Sequence, residues 1–285
     1  MALLVSSCHL HNALQPLDLL KAYQLETNGV LEPSGLTEWN GEFYTVSDKQ
    51  DWIYRLQFHE DSIVLEPYIE IVNNRKTKLD FEGITHDDEN FYLISEMYFQ
   101  ILKVSKNGQQ QSWMPKNTEL KEQGQAAGLF QVRNAYFEGI CLIAEDKFLL
   151  VAERQPRGFV QVEFNESTRI DSLAYVANES QFIALKNRSP DFTGLSCNDS
   201  IYVLERNAYL VTQLKKKAGK FEKKRSWSYH HIIEKDEYIY QDMQYGHAEG
   251  LVVKNNKIYI LLDNNKNFHA NANNNNSLFL VMQFP

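Results

Sequence analysis

The sequence predicts an all-β chain folded as a β-propeller, and three observations carry that expectation: residue balance, an internal repeat and the alternation within each repeat. Of 285 residues, 43% are hydrophobic and 12% aromatic, against 13 Gly and 7 Pro, a balance that favours packed strands over flexible linkers. A chain of this size buries one large core or two modest ones, which excludes a disordered or fibrous protein. Five segments share one form: an aromatic or small residue, then Ser, Thr or Glu, then Gly, Leu or Ile, a turn, an apolar strand and an acid. They run from Ser34-Gly35 to Asp48, Glu82-Gly83 to Glu96, Glu138-Gly139 to Glu153, Thr193-Gly194 to Glu205, and Glu249-Gly250 to Asp263.

The residues before the glycines are spaced 48, 56, 55 and 56 apart. That period suits four-stranded units with long connections. No interval hides a further unit of ordinary length, so five blades are expected, with six as the alternative. In the first unit, strands follow the hairpin at residues 52–58 and 63–71, and in the second at 101–104, each marked by β-branched and aromatic residues. The last unit runs out of chain after its third strand, residues 277–284. Residues 17–25 then supply its outer strand, closing the ring and removing the open edge; a helix over 16–25 is the competing reading. Residues 16–285 form one expected domain, preceded by a terminal segment, 1–15.

Within each unit the midpoint between motif and acid falls on turn-type residues: Gly41, Glu89, Glu145/Asp146, Asp199 and Asn256. A hairpin folded there brings both ends of the segment side by side. If these are the innermost strands, Asp48, Glu96, Glu153, Glu205 and Asp263 ring one mouth of the channel, joined by Glu82, Glu138 and Glu249. So many like charges repel unless neutralised. Lys49, Arg154 and Arg206 follow three of the acids, with Asn264 after a fourth, so ion pairing is one answer. A bound hard cation is the other, because calcium takes six to eight oxygen ligands. The expected metal set is Glu82, Glu138, Glu249, Glu96, Glu153 and Asp263. Catalytic expectations fall on Glu138, Glu249 and the neighbouring His247, with Lys49, Arg154, Arg206 and Asn264 binding substrate.

Other features are plainer. Alternation leaves the direction of His86 open, and His230-His231 reads as structural on an outer strand. No nucleophile elbow, Walker loop or zincin helix occurs. Residues 215–225 (KKKAGKFEKKR) read as a solvated hairpin tip on the fourth unit, away from the carboxylates, and as a candidate for docking to anionic surfaces. Residues 264–276 hold eight Asn and are expected to be a mobile loop on the carboxylate face. A net charge of −8 gives no general basic face for nucleic acid. Cys8, Cys141 and Cys197 are too few and scattered for a disulfide framework or zinc cluster, so the last two are expected as buried thiols. No apolar run spans a bilayer. Met1 to Cys8 looks like the end of a lipoprotein signal lacking its charged region. The alternative is that these residues are merely a disordered terminus; on the first reading the protein is an exported one of the periplasm or cell envelope lipidated at Cys8, and on either a monomer is expected.

The ordered set SGL…FYTVSDK, FEGI…FYLISE, FEGI…FLLVAER, TGL…IYVLERN and AEGL…IYILLDNN resembles the bacterial "esterase-like activity of phytase" domain family from about residue 30 to 285. The resemblance implies a propeller, usually in exported proteins, with a phosphoesterase or esterase role. Ser34 and Thr193 depart from the Glu of the other three units, so the units cannot all lend the same ligand. The chemistry suits a calcium-anchored hydrolase of a small anionic ester. The alternatives are a non-catalytic envelope propeller binding a ligand or partner with structural calcium, and a lactone or carboxylic-ester hydrolase.

Overall fold

Each repeat folds as an antiparallel meander, as seen in a computed structural model that describes residues 14–26, 31–115, 118–164, 170–183, 185, 187–243, 246–271 and 274–285. The first unit contains Pro33–Trp39, Glu42–Ser47, Trp52–Phe58 and Ser62–Glu70. The second has Phe81–His86, Asn90–Ser95, Gln100–Ser105 and a short Gln111–Trp113. In the third, Phe137–Ala144, Lys147–Ala152, Gly158–Phe164 and Ile170–Val176 follow one another. The fourth holds Leu195–Cys197, Ile201–Glu205, Leu210–Lys217 and Lys220–Ser228. The fifth begins with Ala248–Lys254, Lys257–Leu262 and Ser277–Gln283. Its outer strand is Asp18–Glu26, antiparallel to Ser277–Gln283 with Tyr23 opposite Phe279. The N-terminal region is thus strand, not helix, and it joins the two ends of the chain.

The same N-terminal stretch touches three units. Gln15–Pro16 pairs in parallel with Trp227 and Ser228 of the fourth unit, and Gln24 to Glu26 pair in parallel with Ser62 to Val64 of the first. Between those contacts it completes the fifth.

Second strands such as Phe43–Ser47 and Phe91–Ser95 are buried throughout, because a unit packs on both faces against its neighbours. Apolar side chains accordingly gather in five clusters, each between two adjacent units: Tyr44 with Phe91, Tyr92 with Phe148, Phe159 with Phe192, Leu204 with Ile258, and Phe43 with Phe279. Each fully buried aromatic or aliphatic side chain contributes about 1.5–3 kcal/mol of transfer free energy.

The repeated glycine has a steric cause. A Cβ on Gly35 would stand 2.8 Å from Gly83 Cα, and one on Gly83 would stand 3.1 Å from Gly139 Cα. Gly139 meets the Thr193 carbonyl, Gly194 that of Glu249, and Gly250 closes the circle on Gly35. The five inner strands therefore touch backbone to backbone around the axis.

Three expectations change. Cys141 and Cys197 are not free thiols: they form a disulfide, with Cα atoms 5.8 Å apart, between the inner strands of the third and fourth units. His230 and His231 lie on a one-turn helix, His230–Ile233, with His230 stacked on Tyr209. The described part of the Asn-rich loop is anchored by backbone bonds from Gln241 to Phe268 and from Ala270 to Ile239. Tyr240 stacks on His269 there, so the segment forms a wall rather than a free lid. Cys8 lies outside the described residues.

Candidate functional site

The three Glu-Gly dipeptides sit on β-bulges. Phe81 pairs with Ser95 and Gly83 with Ile94, which leaves Glu82 as the extra residue. Glu138 and Glu249 occupy the same place in the third and fifth units. A bulge re-aims a side chain that regular alternation would send elsewhere, and all three carboxylates are close enough to feel one another's charge at the axis. The ends of the second strands lie alongside. Glu96, Glu153 and Asp263 donate their N–H to the carbonyls of Asp80 (2.9 Å), Tyr136 (2.8 Å) and His247 (2.7 Å).

Electrostatics follow from that crowding. Burial, then the charges of Glu82 and Glu249, push the Glu138 carboxyl well above its usual range. Burial, then Glu96 and Asp48, do the same to Glu82. Burial raises Glu96, Glu249 and Asp263 to about 7, with Arg206 partly offsetting the rise at Glu249. These are carboxyls that hold protons near neutrality unless a cation is present.

The residues expected to clamp substrate are engaged by acids. Arg206 donates through Nε to Asp191 (2.8 Å), through Nη1 to Glu249 (2.5 Å) and through Nη2 to Glu153 (2.5 Å), joining the third, fourth and fifth units. Arg154 pairs with Glu153. Lys49 pairs with Asp48 and, at 2.6 Å, with Glu32. Glu205 leaves the mouth altogether: fully buried, it accepts from Arg157 Nη1 at 2.9 Å and from Thr212. Asn264 turns to the carbonyl of Asn275, while Asn265 and Asn267 line the cavity. His247 Nδ1 stands 2.8 Å from the Asp263 carbonyl and 3.3 Å from Asn265 Nδ2, and Nε2 stands 2.9 Å from the Asp242 carbonyl, so this ring is engaged by the rim of the mouth. His86 bonds the Glu38 carbonyl and borders a small cavity of about 100 Å³ at the opposite end, beside the disulfide.

Glu138, Glu153, Arg154, Arg206 and His247 line one cavity of about 480 Å³. Beside it, Asp48, Asp80 and Glu82 offer carboxylate oxygens within 4.8 Å of one another. Asp48 Oδ1, Glu153 Oε2 and Asp263 Oδ1 are buried without a hydrogen-bond partner among the described residues. Such an all-oxygen donor set with unsatisfied acceptors fits a hard cation. Asp80, Asp191 and Glu32 were not among the sequence-based candidates. Their signal is positional, since each stands three residues before its unit's glycine, and Asp80-Phe81-Glu82-Gly83 and Asp191-Phe192-Thr193-Gly194 share a spelling.

Fold and site together define a β-propeller with a carboxylate-lined axial mouth. The chain belongs to the phytase-like family described as esterase-like activity of phytase, whose model matches residues 29–266. It is similar in structure to glutaminyl cyclase from Myxococcus xanthus, with a TM-score of 0.56 and 12% identity over 94% of this chain and 97% of that one. Aldose sugar dehydrogenase from Streptomyces coelicolor, in its PQQ-bound form, gives a TM-score of 0.52 and 9% identity over the same shares. At these identities the likeness concerns the fold alone. No curated protein matches the chain.

Proposed function

We propose that the protein is a calcium-dependent hydrolase of phosphoric or carboxylic esters acting at the carboxylate mouth. The observation that carries this reading is the convergence of three bulge glutamates with buried carboxylate oxygens that lack partners. Glu82, Asp48 and Asp80 would hold the cation, which when bound supplies Lewis-acid polarisation of an ester oxygen. Glu138 lines the cavity, and its raised proton affinity suits a general acid or base near neutral pH. Arg206 orients Glu153 and Glu249, and Arg154 faces the cavity where an anionic group would enter. The Cys141–Cys197 disulfide supports a location in an oxidising compartment such as the periplasm or envelope, with Cys8 as the proposed lipid anchor. A ligand-binding envelope propeller with structural calcium is the second reading. It is favoured by the pairing of Arg206, Arg154 and Lys49 with carboxylates.

The test is hydrolysis of p-nitrophenyl phosphate, phytate and p-nitrophenyl acetate by the full chain, with calcium and with a chelator. Calcium-dependent turnover is expected to fall at least about 100-fold in Glu138→Gln/Glu249→Gln. No turnover, with a melting temperature that still rises on adding calcium, replaces hydrolysis by the binding reading.

A further inference from the structure

Past the inner hairpin of the fourth unit, away from the mouth, the two outer strands continue as a ribbon that lies against the third unit. Its last ladder pair with the inner hairpin is Tyr202 opposite Gln213. Beyond it Lys215 opposite Glu222, Lys216 opposite Phe221 and Lys217 opposite Lys220 continue as two strands alone. Three such pairs extend about 10 Å. Lys215, Lys216, Lys217, Lys220, Lys224 and Arg225 are all exposed. Among the described residues the ion pair on this ribbon is a long Lys217–Glu222 contact of 3.9 Å. The rest of a chain of net charge −8 is correspondingly more acidic.

The ribbon is held in place. Phe221 is buried, and its N–H donates to Tyr175 Oη at 2.6 Å. Gln161 donates to the Gly219 carbonyl at 2.8 Å, and Lys223 N–H donates to Gln181 Oε1 at 3.1 Å. Cationic side chains are therefore presented on a fixed scaffold, so little ordering entropy is lost when they meet a counter-charge.

We propose that this ribbon docks the protein on an anionic lipid bilayer, with the carboxylate mouth facing away from it. Gln15–Pro16 runs parallel to Trp227–Ser228, so the chain traced back from Pro16 to Leu14 heads toward the ribbon tip. Arg225 bonds the Gln15 side chain. Cys8 precedes Leu14 by six residues, at most about 20 Å of chain, which is within reach of the same surface for a lipid on it. One acyl chain plus a basic patch is among the two-signal combinations that give durable anchoring. Hairpin turns at this end carry Asp87, Asp88, Asp146 and Asp199, which oppose flat docking. Those four acids are spread over three units, whereas the ribbon gathers six cations on one hairpin, so contact through the fourth unit brings the cations to the bilayer together. The ribbon's attraction rests on its charge and position and survives failure of the hydrolase reading.

The experiment is co-sedimentation of the unlipidated full chain with vesicles of phosphatidylcholine alone or with 30% phosphatidylglycerol. Binding to anionic vesicles is expected to exceed neutral binding at least tenfold and to weaken with salt. Each Lys→Gln change in the ribbon should lower it about fivefold, so that Lys215→Gln/Lys217→Gln/Lys220→Gln/Lys224→Gln nearly abolishes it at unchanged melting temperature. Lys76→Gln, exposed on the connection that leads to the mouth, should leave it intact. Equal binding to both vesicle types, full binding by the quadruple variant, or tighter binding to duplex DNA than to anionic vesicles overturns the proposal.

Discussion

Glu82, Glu138 and Glu249 owe their character to one extra backbone residue each, which turns a strand side chain into the crowded axis. The pH dependence follows from the raised carboxyls. Glu96, Glu249 and Asp263 have folded-state values of about 7, above those of an unfolded chain, so the folded protein binds more protons between roughly pH 4.5 and 7. Their stabilisation is complete below that window and is lost as pH rises through it, by at most about 1.4 kcal/mol per pH unit for each proton. Chelator-treated protein should therefore show a urea midpoint that falls from pH 5 to pH 8, and calcium should cancel the fall. A flat profile would mean that the acids are already neutralised by Arg206, Lys49 and Lys78, the last of which pairs with Asp80 at 2.6 Å. The acids of this mouth were legible in the sequence as the residue before three of the glycines and the residue that ends or follows each second strand. The cations beside them were legible as residues but not as partners. Whether Arg206 reaches a ligand or Asp191, Glu153 and Glu249 depends on three units meeting, and no local pattern encodes that. Glu205 shows the same limit, since a buried Arg157 takes it out of the ring its repeat position suggests.

Elements that repeat are easier to read than the contacts between them. Spacing located the inner hairpins, and the turns fall at Asn40-Gly41, Glu145-Asp146 and Asn255-Asn256 as expected. The disulfide escaped because pairing Cys141 with Cys197 requires adjacent inner strands to be laid side by side. The glycines carry the corresponding packing prediction. Gly83→Ala places a methyl 3.1 Å from Gly139 Cα and Ile140 N, where backbone must give way, and should destabilise the protein by about 1–3 kcal/mol. Gly41→Ala meets no atom within 4 Å and should lose less, through its left-handed backbone alone. Urea denaturation of the two variants compares them directly; equal losses would show that the ring of close approaches is not what the glycines serve.

The molecule as a whole is closed by residues 15–26. Asp18–Glu26 joins the fifth unit to the first, and Gln15–Pro16 reaches the fourth. Removing residues 1–26 would leave Ser277–Gln283 as an uncovered edge, a template for pairing between chains. The shortened protein should self-associate in light scattering, and a synthetic peptide of residues 14–26 should return it to a monomer. A shortened chain that stays monomeric with an unchanged melting temperature would show that the ring is sealed without it. Closure also sets an order of events in time. The segment that seals the ring leaves the ribosome about 250 residues ahead of its partner, Ser277–Gln283. At about 5–20 residues per second the early strand waits roughly a quarter of a minute to a minute for its mate. Until then the nascent chain has no sealed ring, and the strand edge of the last unit, once made, meets a partner made long before it.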